Sequence, residues 1–334
     1  MIFFMSAMSV ALIAAVAYAL HYAGAVFLLA IIIPYGAVLA FVTGLLYRVA
    51  RWLSSPVPFN ITTTAGQQKS MGWVKPEAFE NPGSFPAVAF RMASEVLLFR
   101  SLFRNTRFER TGERLPAYGS DKWLWLGAMA FHWSLFFIIL RHFRYVLEPV
   151  PWIFETLRAA DDLFHIGTNG MYLTNIIAAS ALAYLVLRRI IVPRVRYISL
   201  FQDYALVLLI AGIVTTGMLL RYWSGTDLLA VKRYAIGLVS LRPEVPGDPG
   251  AIFYIHITMS SMLAAVIPHS KIIHAAGVFL SPTRNMAGDS RRRRHVNPWN
   301  APVKVHTYGE WEDEFCEKLV KSGYPLEKDN GGKV

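Results

Sequence analysis

Six apolar runs, each long enough to cross a bilayer, constrain this chain more than any other feature. A span needs about 20 consecutive apolar residues. Lipid offers the backbone no partners, so a span must close its own hydrogen bonds, as a helix does. The runs are Ile2–Leu20, Ala23–Tyr47, Trp123–Leu147, Gly167–Leu187, Asp203–Tyr222 and Ala251–Leu280. Only 16% of the 334 residues are charged and 54% are hydrophobic, whereas a soluble domain carries about a quarter charged. The fold class expected is all-α: an integral membrane helical bundle with six transmembrane helices.

The net charge of +11 raises nucleic acid as a partner, but its distribution argues for membrane topology instead. Lysine and arginine number 11 in the segment 48–122, four in the loop after the fourth span and 11 from Lys271 onward. With six spans these regions share one face, and the opposite face receives only seven. The basic face is cytoplasmic by the positive-inside rule, which predicts both termini in the cytoplasm and no nucleic-acid partner. Ile2–Leu20 has no basic leader and runs through "HYAG" into the second span, so it reads as a retained helix rather than a cleaved signal. The basic cluster "GDSRRRRHVN" reads as an anchor on anionic headgroups. No internal repeat is visible. The organisation expected is two amino-terminal helices (1–47), a cytoplasmic connecting segment (48–122), a four-helix core (123–280) and a cytoplasmic tail (281–334).

Ionisable side chains inside a membrane are costly and mark functional sites. The third span, "FHWSLFFIILRHF", holds His132 and His142; the sixth, "FYIHITMSSMLAAVIPHSKIIHAAG", holds His256 and His274. The two spans run antiparallel, which predicts an inner pair, His132 with His274, and an outer pair, His142 with His256. Each pair can clamp one haem iron from opposite sides. Ten residues of helix rise about 15 Å and eighteen about 27 Å; tilt and a kink at Pro268 are needed to reconcile the two. Eighteen residues are five turns, which puts His256 and His274 on one face of a continuous helix. A flat ring also needs small neighbours, and Gly127, Ala128, Ser260, Ser261, Ala264 and Ala265 supply them. Arg141, Arg144 and Arg221 outside, and Lys271, Arg188 and Arg189 inside, are candidates for the haem propionates. Interhelical hydrogen bonding or a proton relay is the competing use of such histidines. His269 reads as structural and His21 as interfacial. The single cysteine, Cys316, excludes an internal disulfide, a C-x-x-C-H haem site and a four-cysteine iron–sulfur cluster within the chain.

"FHWSLFFIILRH", "IHITMSSMLAAVIPHSKIIH" and "VPRVRYISLFQDYALVLL" resemble the di-haem cytochrome b gamma subunit of respiratory nitrate reductase, over about residues 24–280. The resemblance implies His132, His142, His256 and His274 as axial ligands of two haems b. The extra amino-terminal span and the long segment 48–122 depart from that family. With "FNITTTAGQQKSMGWVKPEAFENPG", "EVLLFRSLFRNTRFE" and "GSDKWLWLGAMAFHWS" the chain resembles, nearly end to end, the M subunits of the Dsr complex, the membrane assembly associated with dissimilatory sulfite reductase. That resemblance implies electron transfer between menaquinol or menaquinone and a cytoplasmic iron–sulfur K subunit. It also implies a periplasmic multihaem cytochrome c, a periplasmic ferredoxin-like subunit and a second membrane subunit as partners.

Quinol oxidation releases protons, so the quinol site is expected beside the outer pair, near water. "RAADDLFHIG" brings Asp161, Asp162 and His165 to that depth as acceptors, and Arg144 can steady a developing anion. His165 stands in for a lysine that the nitrate reductase family is thought to use near this connection. Asp161 and Asp162 can equally be a charge pair at a helix amino terminus. Three other functions compete: a heterodisulfide reductase cytochrome using methanophenazine, a membrane anchor with structural haems, and a transporter with a histidine proton relay.

Overall fold

The computed structural model describes residues 1–55, 57, 60–61, 67–104, 106–109, 117–162, 164–166, 169–247, 249–291 and 305–327. The described helices are α1 (Ile2–Tyr22), α2 (Ile33–Leu53, entered by a π turn at Leu28–Ile32), α3 (Phe85–Leu98), α4 (Arg100–Phe103), α5 (Lys122–His142), α6 (Trp152–Asp161), α7 (Leu173–Ile191), α8 (Pro193–Ile198), α9 (Phe201–Tyr222), α10 (Leu228–Val239), α11 (Ala251–Val266), α12 (His274–Gly277), α13 (Pro282–Asn285) and α14 (Tyr308–Lys321). Two small antiparallel ribbons complete the list: β1 (Thr106–Glu109) with β2 (Ala117–Ser120), and β3 (Phe164–Ile166) with β4 (Asn169–Met171). Six helices are long and apolar enough to span a membrane: α1, α2 with its π turn, α5, α7, α9 and α11. The chain is a multi-pass helical membrane protein, as its sequence predicts.

The spans pack in an arc. α5 lies on α7, α7 on α9, and α9 on α11; α1 fits against α9 and α11, and α2 against α11. The two histidine-bearing helices, α5 and α11, are separated by α7 and α9 and scarcely pack on each other. Between the other helices the contacts are close. Ala178 and Leu182 of α7 meet Ile210 and Val214 of α9 in one buried cluster. Gly127 of α5 is small because the Tyr184 ring lies on it: a Cβ there would sit 2.5 Å from Tyr184 Cδ1. Its size therefore serves the α5–α7 contact, not the flat slot expected from sequence.

Span six is not one helix. α11 ends at Val266, and Pro268 sits in a 3-10 turn, Ile267–His269. Ser270 is extended at φ −117°, a second 3-10 turn covers Lys271–Ile273, and α12 begins at His274. Proline has no N–H to continue the helix and its ring clashes with the preceding turn. The expectation of one shared helical face for His256 and His274 is thereby corrected.

The segment between α2 and α5 does more than connect. α3 ends at Leu98, and Phe99 adopts a left-handed conformation, φ 47° and ψ 46°. The last carbonyls of a helix lack intrahelical partners; here two indoles from α5 supply them. Trp125 Nε1 donates to Leu98 O at 2.7 Å and Trp133 Nε1 to Leu97 O at 3.1 Å. From Lys122 to Trp133 α5 climbs about 16 Å, so the α3–α4 corner packs well along span three. Behind it, Glu80 takes both Arg100 and Arg104, and Arg284 lies 3.9 Å from Glu95. Gly288 N donates to Pro82 O at 2.7 Å, which ties the chain after span six to the same unit.

On the other face, α10 docks on α2. Tyr234 Oη donates to Ala30 O in the π turn at 2.7 Å, and Tyr35 Oη to Leu238 O at 3.0 Å. Lys232 pairs with Glu148, joining α10 to the loop after α5.

Candidate haem-binding site

Each histidine has its Nδ1 committed. His132 Nδ1 lies 2.7 Å from Ala128 O, His142 Nδ1 2.7 Å from Ile138 O, and His274 Nδ1 2.6 Å from Lys271 O. A carbonyl only accepts, so each Nδ1 carries the hydrogen. His256 Nδ1 lies 2.9 Å from Thr216 Oγ1, whose own hydrogen goes to Gly212 O at 2.8 Å. That hydroxyl therefore accepts as well. All four rings are left with an unprotonated Nε2, the state and orientation of a metal-ligating imidazole.

The inner pair is assembled across the arc. The His132 and His274 ring centroids are 6.1 Å apart with an interplanar angle of 77°. Two in-line bonds of about 2 Å to one ion, plus about 1 Å from each nitrogen to its ring centre, would separate the centroids by about 6 Å. The angle is no obstacle, since each ring plane need only contain the bond axis. Phe99 completes this end, with its ring edge-on to His132 at 4.9 Å.

The outer pair shares a cavity of about 230 Å³ that His142 and His256 line with Tyr145, Gly217, Arg221 and Tyr234. A Cβ at Gly217 would come within 3.3 Å of His256 Cε1, so any larger residue would crowd the ring. Among the described residues no three His, Cys, Asp or Glu side chains gather around a point. A bare ion needs about four protein ligands. A porphyrin brings its own equatorial nitrogens and needs only two axial ones. Paired imidazoles between helices that do not pack together fit haem and not a bare ion.

Cations crowd the outer end. Arg141 lies over the Tyr172 ring at 3.9 Å and Arg221 at 4.6 Å, while Arg144 Nη1 donates to Tyr172 Oη at 3.3 Å. Arg141 reaches Asp161 at 2.8 Å and Asn175 Oδ1 at 2.9 Å. The Nε atoms of Arg141, Arg144 and Arg221 are buried without a partner among the described residues. Three guanidiniums against one carboxylate suit an anionic group at this end, and Arg221 also lines the cavity. At the inner end Lys271 binds Asp203 at 2.7 Å, and Arg188 binds Asp121 at 2.8 Å.

The acidic pair divides. Asp161 accepts from Thr174 N at 2.8 Å and Thr174 Oγ1 at 2.6 Å, so it caps α7 as well as holding Arg141. Its carboxylate is thus engaged by α7 and by Arg141. Asp162 differs: its Oδ1 is buried and has no partner among the described residues. His165 pairs with Gly170 across the β3–β4 ribbon; its side chain lies outside the described residues. His21 stacks on Tyr254 at 4.9 Å. Sequence reasoning missed Phe99, Thr216 and Gly217. Thr216 and Gly217 lie in an apolar span that offers no sign of which residues face a histidine on another helix.

Six membrane spans with histidines within them fit the class of membrane-bound b-type cytochromes. The family model for the nitrate reductase gamma subunit matches residues 84–287. Two curated relatives, each described as an Hdr-like menaquinol oxidoreductase cytochrome b-like subunit, are similar over most of their length. The one from Archaeoglobus fulgidus is 40% identical over 279 residues, covering 81% of this chain and 82% of the relative. The one from Archaeoglobus profundus is 40% identical over 277 residues, covering 80% and 81%. The chain belongs to the nitrate reductase gamma subunit family.

Proposed function

We propose that this chain is the di-haem cytochrome b subunit of a menaquinol-linked oxidoreductase, with both termini in the cytoplasm. The observation that carries the reading is the arrangement of four imidazoles in two pairs, each with Nδ1 fixed and Nε2 open. His132 with His274, and His142 with His256, hold one haem b each. Haem b, when bound, supplies one-electron transfer between a lipid-soluble two-electron donor and a partner on the opposite face. Arg141 and Arg221 meet the propionates outside; Lys271, the candidate inside, is held by Asp203.

Menaquinol is oxidised near the outer pair. Arg144 steadies the head group, and the two protons pass to Asp162 and His165, with Asp161 holding Arg141 in place. The unpartnered Oδ1 of Asp162 favours it over Asp161 as acceptor. The electron acceptor is a cytoplasmic iron–sulfur protein docked on 48–122 and 281–334. The motifs of the segment 48–122 resemble those of Dsr M subunits, which supports the heterodisulfide-reductase-like K subunit of a Dsr complex as that protein. A second membrane subunit, a periplasmic multihaem cytochrome c and a periplasmic ferredoxin-like subunit complete that assembly, which serves sulfite reduction or sulfur metabolism. The names of the two relatives agree with a menaquinol-linked, Hdr-like complex.

The test is optical. The purified complex should show b-type bands that a menaquinol analogue reduces, and an iron–sulfur subunit should co-purify. Bands that dithionite reduces and menaquinol does not would leave only an anchor with structural haems.

A further inference from the structure

A second cavity, of about 240 Å³, lies between α1, α9 and α11, in the half of the bundle away from the outer histidine pair. Its walls are apolar: Val10 and Ile13 of α1, Leu206 and Leu209 of α9, and Met262 of α11. Its end toward the α9 amino terminus carries Gln202 and His269. These two side chains have no hydrogen-bond or ionic partner among the described residues. The other polar groups on this lining are used locally. Ser9 donates to Met5 O at 2.7 Å, and Ser270 donates to Ile267 O at 3.1 Å and accepts from Ile272 N. His269 has room because Gly44 of α2 carries no Cβ, which would otherwise lie 3.1 Å from its Nε2.

Gln202, half-buried in the first turn of α9, and His269, exposed at the end of span six, form the polar mouth of an otherwise apolar cavity. A ligand lying in the cavity can exchange hydrogen bonds with both. The ligand must have an apolar body for the walls and a neutral, hydrogen-bonding head for Gln202 and His269. A phospholipid phosphate is the wrong head, because the nearby cations are turned elsewhere: Lys271 binds Asp203 at 2.7 Å and Arg189 lies 3.8 Å from it. We propose that this cavity is a second binding site for a lipid-soluble quinone. A head-group carbonyl accepts from the Gln202 amide, and the other oxygen meets His269. The site is built in part by α1, and His269 is five residues before His274, the inner-pair residue. The ligand class rests on the reading of the chain as a quinol-linked cytochrome; the cavity and its unpartnered groups do not.

Photolabelling of the intact complex in its own membranes with an azido-menaquinone, followed by peptide mapping, tests this. Label is expected within residues 9–13, 201–209 and 262–270, with labelling competed away by excess menaquinone. Gln202→Leu should weaken competition about fivefold, as one lost hydrogen bond does. Ile13→Trp, which fills the cavity from α1 without touching its polar end, should abolish labelling there, with unchanged b-type bands reporting an intact fold. Label confined to peptides near Tyr145 and Arg221 would overturn this site and leave the outer quinol site standing. Absence of specific label anywhere would overturn both. Inner label competed by phospholipid but not by menaquinone would identify an ordinary lipid groove and refute the proposal, as would inner label that neither variant affects.

Discussion

His132 and His274 face each other with ring centroids 6.1 Å apart, one within a continuous span and the other beyond a break in its partner. The separation leaves room for one ion between the two rings. The break at Pro268–Ser270 is what brings His274 to this position, so the irregular backbone of span six is part of the site.

Thr216 is expected to fix His256 through the hydrogen bond at 2.9 Å. Thr216→Val keeps the shape and removes the acceptor. Loss of such a supporting contact weakens a metal site by about 10- to 100-fold. The outer haem should titrate in with that lower affinity while the inner haem is unchanged, which haem content and a potentiometric titration will read.

Asp161 separates a structural from a chemical role. Its pair with Arg141 is buried, with side-chain exposures of 7% each. Asp161→Ala leaves a buried guanidinium uncompensated and should cost about 3–5 kcal/mol, seen as a lower midpoint of thermal unfolding. Asp162→Asn should leave the midpoint in place and slow reduction by a menaquinol analogue. Slow reduction in a fully stable Asp161→Asn variant would instead return Asp161 to the quinol site.

Much of this architecture is legible in the chain, because hydropathy reports lipid exposure directly. The six spans follow from run length alone, and the histidine pairing follows from antiparallel spans. The break in span six was foreshadowed by Pro268, although a kink and a full interruption look alike in sequence. What could not be read depends on contacts between distant residues. Gly127 looks like room for a ring, yet Tyr184 fills that room. Asp161 looks like a proton acceptor beside Asp162 until Thr174 and Arg141 occupy it. Phe99 sits in a polar segment, and nothing local shows that two tryptophans of span three draw it onto His132.

Phe99 holds a left-handed backbone at φ 47°, which costs a non-glycine residue about 1–2 kcal/mol. Phe99→Gly removes both strain and ring; Phe99→Ala removes the ring alone. The glycine variant should be the more stable by about 1 kcal/mol. Both should shift the spectrum and potential of the inner haem, because both lose the edge contact with His132. An unshifted inner haem in both variants would reduce Phe99 to a packing residue.

The account stands on the two pairs, and haem stoichiometry in paired substitutions tests them most directly. Each of His132→Ala, His274→Ala, His142→Ala and His256→Ala should leave one haem b per chain. His132→Ala combined with His274→Ala should still leave one, whereas His132→Ala combined with His256→Ala should leave none. Two haems retained in the single variants, or both lost when His132 and His274 alone are replaced, would contradict the assignment.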